Sequence, residues 1–318
     1  MSIEKIIKNS QQKILHVPIN GYDLPSPEQT QIVIQQINSG PDADLILLDK
    51  STGPWDQDLG YLAWAQDLNL NKPFAIVTSN YSYRGNTHDQ IVYYPHWFFV
   101  LLSDVNLKKY DIVQARPYKI ACLSRNPWLH RSKNMLAMSQ QPWFAECQYS
   151  FGSRDKFTVD TSPDMTPQDV EFLNSINRTK LNLPDNDEFY VSNHSGAHEL
   201  CCVDYVTESR VDNIFVSEKP WKPVLSGQLF FILGPVGIVA YLRHVGIDVF
   251  DDLLDHAYDH EPDLDKKIQM LMRAIGIMIE HVDQIWTDTQ SRRQKNLDLV
   301  LSPDFQQLMS ADLISRVS

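Results

Sequence analysis

The first third of the chain alternates short apolar runs with polar stretches of helical spacing. KILHVPI (13–19) reads as a strand, and PFAIVTS (73–79) as another. DLILLDK (44–50) is a compact apolar run suited to a buried parallel strand. Between them, SPEQTQIVIQQINS (26–39) predicts a helix with Ser26 as N-cap and Pro27 at its first position. LGYLAWAQDLNL (59–70) has helical spacing, and IVYYPHWFFVLL (91–102) has room for one more strand. Strand and helix in alternation predict an α/β layer on a parallel sheet.

A boundary is expected near Arg116-Pro117, dividing the chain into domains 1–117 and 118–318. After it, YKIACLS (118–124) is a clear strand and HRSKNMLAMSQQ (130–141) a helix. The stretch 148–187 reads as polar and irregular, with one helix inside it. That helix is marked by Thr166 as N-cap, Pro167, and Asp169 completing a capping box. FYVSN and LCCVDYVTE are strand candidates, and LFFILGP (229–235) is the best buried strand. IVAYLRHVG (238–246) predicts a helix ending at Gly246. DKKIQMLMRAIGIMIEHVDQIW (265–286) reads as one long amphipathic helix.

Composition narrows the function. Lys plus Arg is 28 against Asp plus Glu 40, a net charge of -12. That balance argues against a dedicated nucleic-acid binder, which carries a basic footprint. Four cysteines are too few for a disulfide scaffold at this length. The opening residues lack the apolar core of a signal peptide, and no apolar run reaches the roughly 20 residues that span a bilayer. A reducing, cytoplasmic setting with no membrane span is expected.

The most informative stretch is FVSEKPWKPVLSGQLFFILGP (215–235). Ser217 is placed to cap a following helix, which starts as late as Lys222 if the prolines at 220 and 223 stand in or before its first turn. Lys219 and Lys222 then flank a helix N-terminus, whose free N–H groups and partial positive charge favour a diphosphate. Glu218 is a natural acceptor for sugar hydroxyls. A helix start with solvated lysines explains the same spacing.

This block resembles the donor-binding segment of α1,3-fucosyltransferases and of related phage and bacterial glycosyltransferase-like proteins. Their pattern is an aromatic, two residues, Glu-Lys, a helix with a small residue near its end, and an apolar strand closing in Gly. Here those positions are Phe215, Glu218, Lys219, Ser226-Gly227 and LFFILGP. The longer version shared by the relatives ends in YLRHVGIDVFDDLLDHAYD. Upstream, CLSRNPWLHRSKNML supplies a strand-ending Ser124 with Arg131 seven residues on, as in the family. The likeness covers about 118–260. It departs at Phe215, where the pattern has Tyr, and at Lys222-Pro223, where fucosyltransferases have Asn.

The resemblance implies two Rossmann-like domains facing a cleft, the GT-B type of glycosyltransferase. It implies inverting, metal-independent transfer of a hexosyl or pentosyl group from a nucleotide-diphosphate sugar, a co-substrate and not a resident cofactor. Arg131 and Lys219 would hold the diphosphate, with Ser124, Phe215, Ser217, Glu218 and Lys222 around the donor. Glu208, in the strand before the block, would face it too. The general base would come from the first domain, at a strand C-terminal end. Asp49 is the first choice there, before Asp56, Arg84, His88 and Asp89. The acceptor is a glycan or a modified base in phage DNA, the latter lying against Arg84, Arg125, Arg131 and Lys133. A non-catalytic nucleotide-sugar or glycan-binding protein of the same fold is the alternative. Donor sugar, nucleotide and oligomeric state stay open.

Two rival constellations weigh less. His194, His198, Cys201 and Cys202 suggest zinc but lack paired Cys-x(2–4)-Cys spacing. The acidic run Asp251, Asp252, Asp255, Asp259, Glu261, Asp263 and Asp265 lacks the glycine and order of a calcium loop and reads as a solvated face. DAD at 42–44 precedes its strand and reads as a loop, not a metal motif.

Overall fold

The computed structural model describes residues 2–19, 24–51, 58–84, 89–103, 112, 115–124, 126–152, 158–176, 196–212 and 215–318, with the side chains of 58, 59, 196 and 197 left aside. The elements in chain order are α1 (Ile3–Lys8), β1 (Ile14–Pro18), α2 (Pro27–Ser39), β2 (Leu45–Asp49), α3 (Asp58–Asp67), β3 (Phe74–Thr78), β4 (Ile91–Tyr93) and α4 (His96–Ser103). They continue with β5 (Tyr118–Ser124), α5 (Leu129–Ser139), β6 (Cys147–Phe151), α6 (Pro167–Ile176), α7 (Gly196–Leu200), β7 (Cys201–Thr207), α8 (Trp221–Leu225) and β8 (Leu229–Leu233). The last helices are α9 (Ile238–His244), α10 (Leu264–Glu280), α11 (Val282–Asp288), α12 (Gln290–Leu301) and α13 (Pro303–Val317).

The strands form two four-stranded parallel sheets, β1-β2-β3-β4 and β6-β5-β7-β8, the α/β arrangement expected of two Rossmann-like domains. Every residue of β2, β3, β7 and β8 is buried, as strands covered on both faces must be. In the first sheet Val17, Ile46, Leu48 and Ile76 pack with Val33 of α2 and Tyr61 and Ala65 of α3. Leu45, Leu47 and Asp49 alternate to the other face.

The chain divides into two compact units, each built on one sheet. The first comprises Met1–Val105, Asn213–Glu218 and Leu301–Ser318, and the second Asn106–Asp212 and Lys219–Val300. Two segments expected in the 118–318 domain therefore belong with the first sheet. Phe305 of α13 packs edge-on against Phe98 of α4, and Phe215 forms a bridge with Asn80 after β3.

The capping signals are present. Ser26 and Gln29 form a reciprocal capping box, as do Thr166 and Asp169. Residues 91–102 hold the expected further strand, β4, followed after Pro95 by α4. Other expectations need correction. β6 lies in a stretch read as irregular, because it is an edge strand with only part of its surface buried. The helix expected over 265–286 breaks at His281 into α10 and α11. In the acidic run Asp251, Asp252, Asp255, Asp263 and Asp265 are exposed, as a solvated face requires, while Asp259 is buried. Asp251 pairs with Arg243, Asp252 with Arg292 and Asp265 with Lys133, while Asp263 caps α10. FYVSN lies outside the described residues.

Candidate functional site

The strand order of the second sheet locates a crevice before any side chain is considered. From β5 the chain goes to β6 on one side and then to β7 on the other. That reversal leaves an opening at the carboxyl ends of β5 and β7, where ligands bind in open α/β sheets. Ser124 ends β5, Thr207 ends β7, and Glu208 and Ser209 follow it.

Arg131, in the first turn of α5, is 2% exposed. Its Nη2 donates to the carbonyls of Thr207 (2.9 Å) and Glu208 (3.0 Å), and Nη1 to that of Asn126 (3.2 Å). The preceding His130 places Nε2 at 3.0 Å from the same Glu208 carbonyl. Burial first, and then the Arg131 charge, push the His130 imidazole down to about 4, so it is neutral near pH 7. The end of β7 is thus fixed by two consecutive side chains of α5, one of them a buried cation.

Lys219 reaches the same turn from the opposite direction in sequence. It is half-buried, and its Nζ donates to the Ser209 hydroxyl at 2.8 Å. Arg131 and Lys219 therefore converge on residues 207–209, both within the second unit rather than from separate domains. Glu208 is fully buried at the end of a central strand, its Oε2 accepting the Ser209 N–H at 2.8 Å. Gly234 makes room for it, since a Cβ there would stand 3.3 Å from Glu208 Cγ. Ser124 is completely buried and shares a hydrogen bond with the Thr207 hydroxyl at 2.9 Å.

The rest of the block divides differently from expectation. Phe215, Ser217 and Glu218 are buried and belong to the first unit, whereas Lys219 begins a new segment of the second. Ser217 does not cap α8, which starts at Trp221 with Pro220 at its cap and no side-chain bond. α8 has only five residues, so its dipole is slight. Lys222 is half-buried, and its charge acts on His198 of α7, just ahead of β7, and on Asp204 in the middle of β7. Ser226 and Gly227 close α8 at the other end of β8. There a left-handed φ of 63° and a side chain of Ile112, 2.6 Å from where a Cβ would sit, demand glycine.

Of the other helix starts at this edge, that of α9 is filled. The carboxylate of Asp259 accepts the N–H groups of Val239 (3.1 Å) and Ala240 (2.9 Å). α5 has no side-chain cap. The Arg131 and Ser132 N–H groups of its first turn bond the Trp128 carbonyl at 2.8 and 2.9 Å.

The basic groove is not assembled by the described residues. Lys133 is held by Asp164 (3.1 Å) and Asp265 (2.9 Å), Arg131 is enclosed, and Arg125 lies outside the described residues. Arg84 is half-buried and Asp89 exposed, while Asp56, His88 and His194 lie outside the described residues. Cys201 and Cys202 are buried strand residues, and burial pushes both thiols up, Cys202 to about 11. His198 bonds Gln228 Oε1 at 2.9 Å, and no metal-ligating cluster occurs among the described residues. Asp42 pairs with Lys72 and Asp44 accepts the Lys13 N–H at 2.9 Å, both ahead of β2. No described helix is long and apolar enough to cross a membrane.

Asp49 ends β2 and is buried. Its Oδ2 lies 2.9 Å from His16 Nε2, and its Oδ1 accepts the Ser51 N–H (2.9 Å) and hydroxyl (2.6 Å). Burial raises its carboxyl, but the His16 and Ser51 bonds outweigh that and hold it below the usual range. The His16 contact is not foreseen from the sequence, because strand pairing creates it.

No family model and no curated protein matches the sequence. Among solved structures, a crystal structure of alpha1,3-fucosyltransferase is similar over 99% of this chain and 93% of its own, at 10% identity and a TM-score of 0.41. Structures of alpha1,3-fucosyltransferase with GDP-fucose and with GDP are similar over 96% of this chain and 90% and 93% of theirs, each at 9% identity and a TM-score of 0.41.

Proposed function

We propose that the chain is a glycosyltransferase that holds a nucleotide-diphosphate sugar at the carboxyl ends of β5 and β7 and moves the sugar, with inversion and without a metal, to a hydroxyl of a glycan. The observation that carries this reading is the convergence of Arg131 and Lys219 on residues 207–209, at the strand-order reversal. An acceptor oxygen attacks the anomeric carbon, the bond to the diphosphate breaks, and its electrons leave on the β-phosphate oxygen. Developing negative charge needs preorganised positive partners. Lys219, whose Nζ donates to the Ser209 hydroxyl beside the strand end, serves as the direct ligand. Arg131, already committed to carbonyls, shapes the crevice and adds its field.

A glycan fits better than DNA. Lys133 is paired, Arg131 is enclosed, and the chain carries a net charge of -12.

The test is donor hydrolysis across UDP-, GDP- and CMP-sugars by the wild type and Lys219→Ala, with hydroxymethylated DNA and oligosaccharides as acceptors. Turnover of one diphosphate donor, lost in Lys219→Ala, is expected. Nucleotide binding without turnover of any donor would favour a non-catalytic binding protein. Mass gain on DNA alone would overturn the glycan acceptor.

A further inference from the structure

The connection from β5 to α5 carries an aromatic side chain that the diphosphate contacts do not use. The N-cap of α5 is Trp128, extended in its backbone (φ -66°, ψ 158°) and without a side-chain cap bond. Ser, Thr, Asp or Asn normally stands at such a position, because its oxygen satisfies a first-turn N–H. Leu129, next in the chain, is 37% exposed. Two large apolar side chains thus follow the carboxyl end of β5, where a polar cap would favour the helix more. A local rule broken beside a binding crevice points to a side chain kept for what it touches.

Trp128 is firmly held. Its N–H donates to the Asn126 carbonyl at 2.9 Å, and its carbonyl accepts the N–H groups of Arg131 and Ser132. The Pro127 carbonyl accepts the Asp160 N–H at 2.9 Å and the Ser132 hydroxyl at 3.2 Å. The Arg131 guanidinium lies over the indole, its carbon 5.3 Å from the ring centre, and the His130 ring stands 6.1 Å away, tilted by 52°. The indole is nevertheless only half-buried. A ring whose position is already fixed loses little freedom when a second flat ring lies on it.

Arg131 joins this ring to the donor crevice. The same guanidinium donates to the carbonyls of Thr207 (2.9 Å) and Glu208 (3.0 Å), beside the Ser209 hydroxyl that receives Lys219. The indole and the end of β7 are therefore one guanidinium apart, a gap of the kind that ribose bridges between base and phosphate. All of these residues belong to the second unit.

We propose that Trp128 is the platform on which the donor's nucleobase stacks while Lys219 holds the diphosphate. The proposal rests on the glycosyltransferase reading and adds the residue that recognises the nucleoside. A base suits the indole better than a sugar does. Its flat face covers the ring and Leu129 beside it is apolar, whereas a sugar needs partners for its hydroxyls. Since every base has such a face, the contact tolerates changes of base and sets affinity for nucleosides as a class.

The experiment measures Kd by calorimetry for UDP, GDP, UDP-glucose, GDP-mannose, pyrophosphate and ribose 5-diphosphate, which lacks a base. The proteins are the wild type, Trp128→Ala, Trp128→Leu and Trp128→Phe. A wild type that binds none of these ligands overturns the donor-site reading and the proposal with it. The wild type should bind UDP or GDP about fivefold or more tightly than ribose 5-diphosphate. Equal affinities overturn the platform alone and leave the diphosphate site standing, and that comparison needs no variant to fold. Trp128→Ala should weaken UDP or GDP binding by about 5–100-fold with pyrophosphate and ribose 5-diphosphate unchanged, and Trp128→Phe should restore most of the loss. Trp128→Leu separates stacking from simple cover of Arg131. It should bind as weakly as the Ala variant, and wild-type affinity there overturns the proposal. A loss shared by pyrophosphate would mean that Trp128 only shapes the crevice, and a loss confined to the nucleotide-sugars would put the sugar on the indole; either overturns it.

Discussion

The two sheets have the same number of strands and the same parallel sense, yet they offer different chemistry. The first runs β1-β2-β3-β4 in chain order, and the second runs β6-β5-β7-β8. Only the second reverses direction, so only it opens a crevice between neighbouring strand ends. The difference shows in the cations found at the two edges. Lys50, just after β2, is 1% exposed with its Nζ 4.4 Å from the centre of the Tyr61 ring. Lys219, beyond β7, is half-buried on a serine hydroxyl. One lysine is set into a core and the other stands at an opening.

The sharpest way to break this comparison is to remove each lysine. Lys219→Ala should cut donor turnover by about 10²–10³-fold and weaken nucleoside-diphosphate binding, with little change in stability. Lys50→Ala should do the reverse, lowering stability by about 1–3 kcal/mol in urea denaturation while leaving nucleotide Kd unchanged. Equal effects of the two on binding would erase the distinction between the sheets.

Arg131→Met probes how the crevice is held. It takes the Arg131 N–H groups away from the carbonyls of Asn126, Thr207 and Glu208, of which Glu208 keeps its His130 contact, at a cost of about 3 kcal/mol. Denaturation should report that loss together with weaker nucleotide binding. A fully stable variant would mean that Arg131 does not organise the end of β7.

A smaller effect tests the floor of the same sheet. Burial raises Asp204 to about 7, and burial first, then the Lys222 charge, lowers His198 to about 3, so their 3.6 Å contact joins two neutral groups in mildly acidic solution. A raised Asp gives stability that is present below its unfolded value and lost as pH climbs towards 7. A lowered His gives stability that is lost as pH falls below its unfolded value of about 6.5. The two slopes oppose each other between about pH 4 and 6.5. Asp204→Asn should expose the histidine slope, so that stability falls on acidification by up to about 1.4 kcal/mol per pH unit. An unchanged slope between pH 7 and 5 would contradict it. The smallest effect is Gly234→Ala, which should cost about 1 kcal/mol and perturb nucleotide binding by crowding Glu208.

What the sequence reveals follows from how local each cause is. β2 and β8 are continuous apolar runs, and the Ser26 and Thr166 capping boxes are written in four residues each, so all four are legible. β6 is not, because an edge strand needs only part of its residues apolar. The break at His281 leaves the apolar rhythm of 265–286 intact and so goes unseen. The Glu-Lys block is visible as a pattern, but spacing cannot say that Lys219 reaches the end of β7 while Lys222 acts near its start and middle. His16 escapes for the same reason. Its partner lies 33 residues away, and only strand pairing brings the two together.

The most direct measurement is a crystal structure of the protein with a nucleoside diphosphate. The diphosphate oxygens should lie within about 3 Å of Lys219 Nζ, at the carboxyl ends of β5 and β7. A nucleotide bound away from residues 207–209, with Lys219 still on Ser209, would contradict the account.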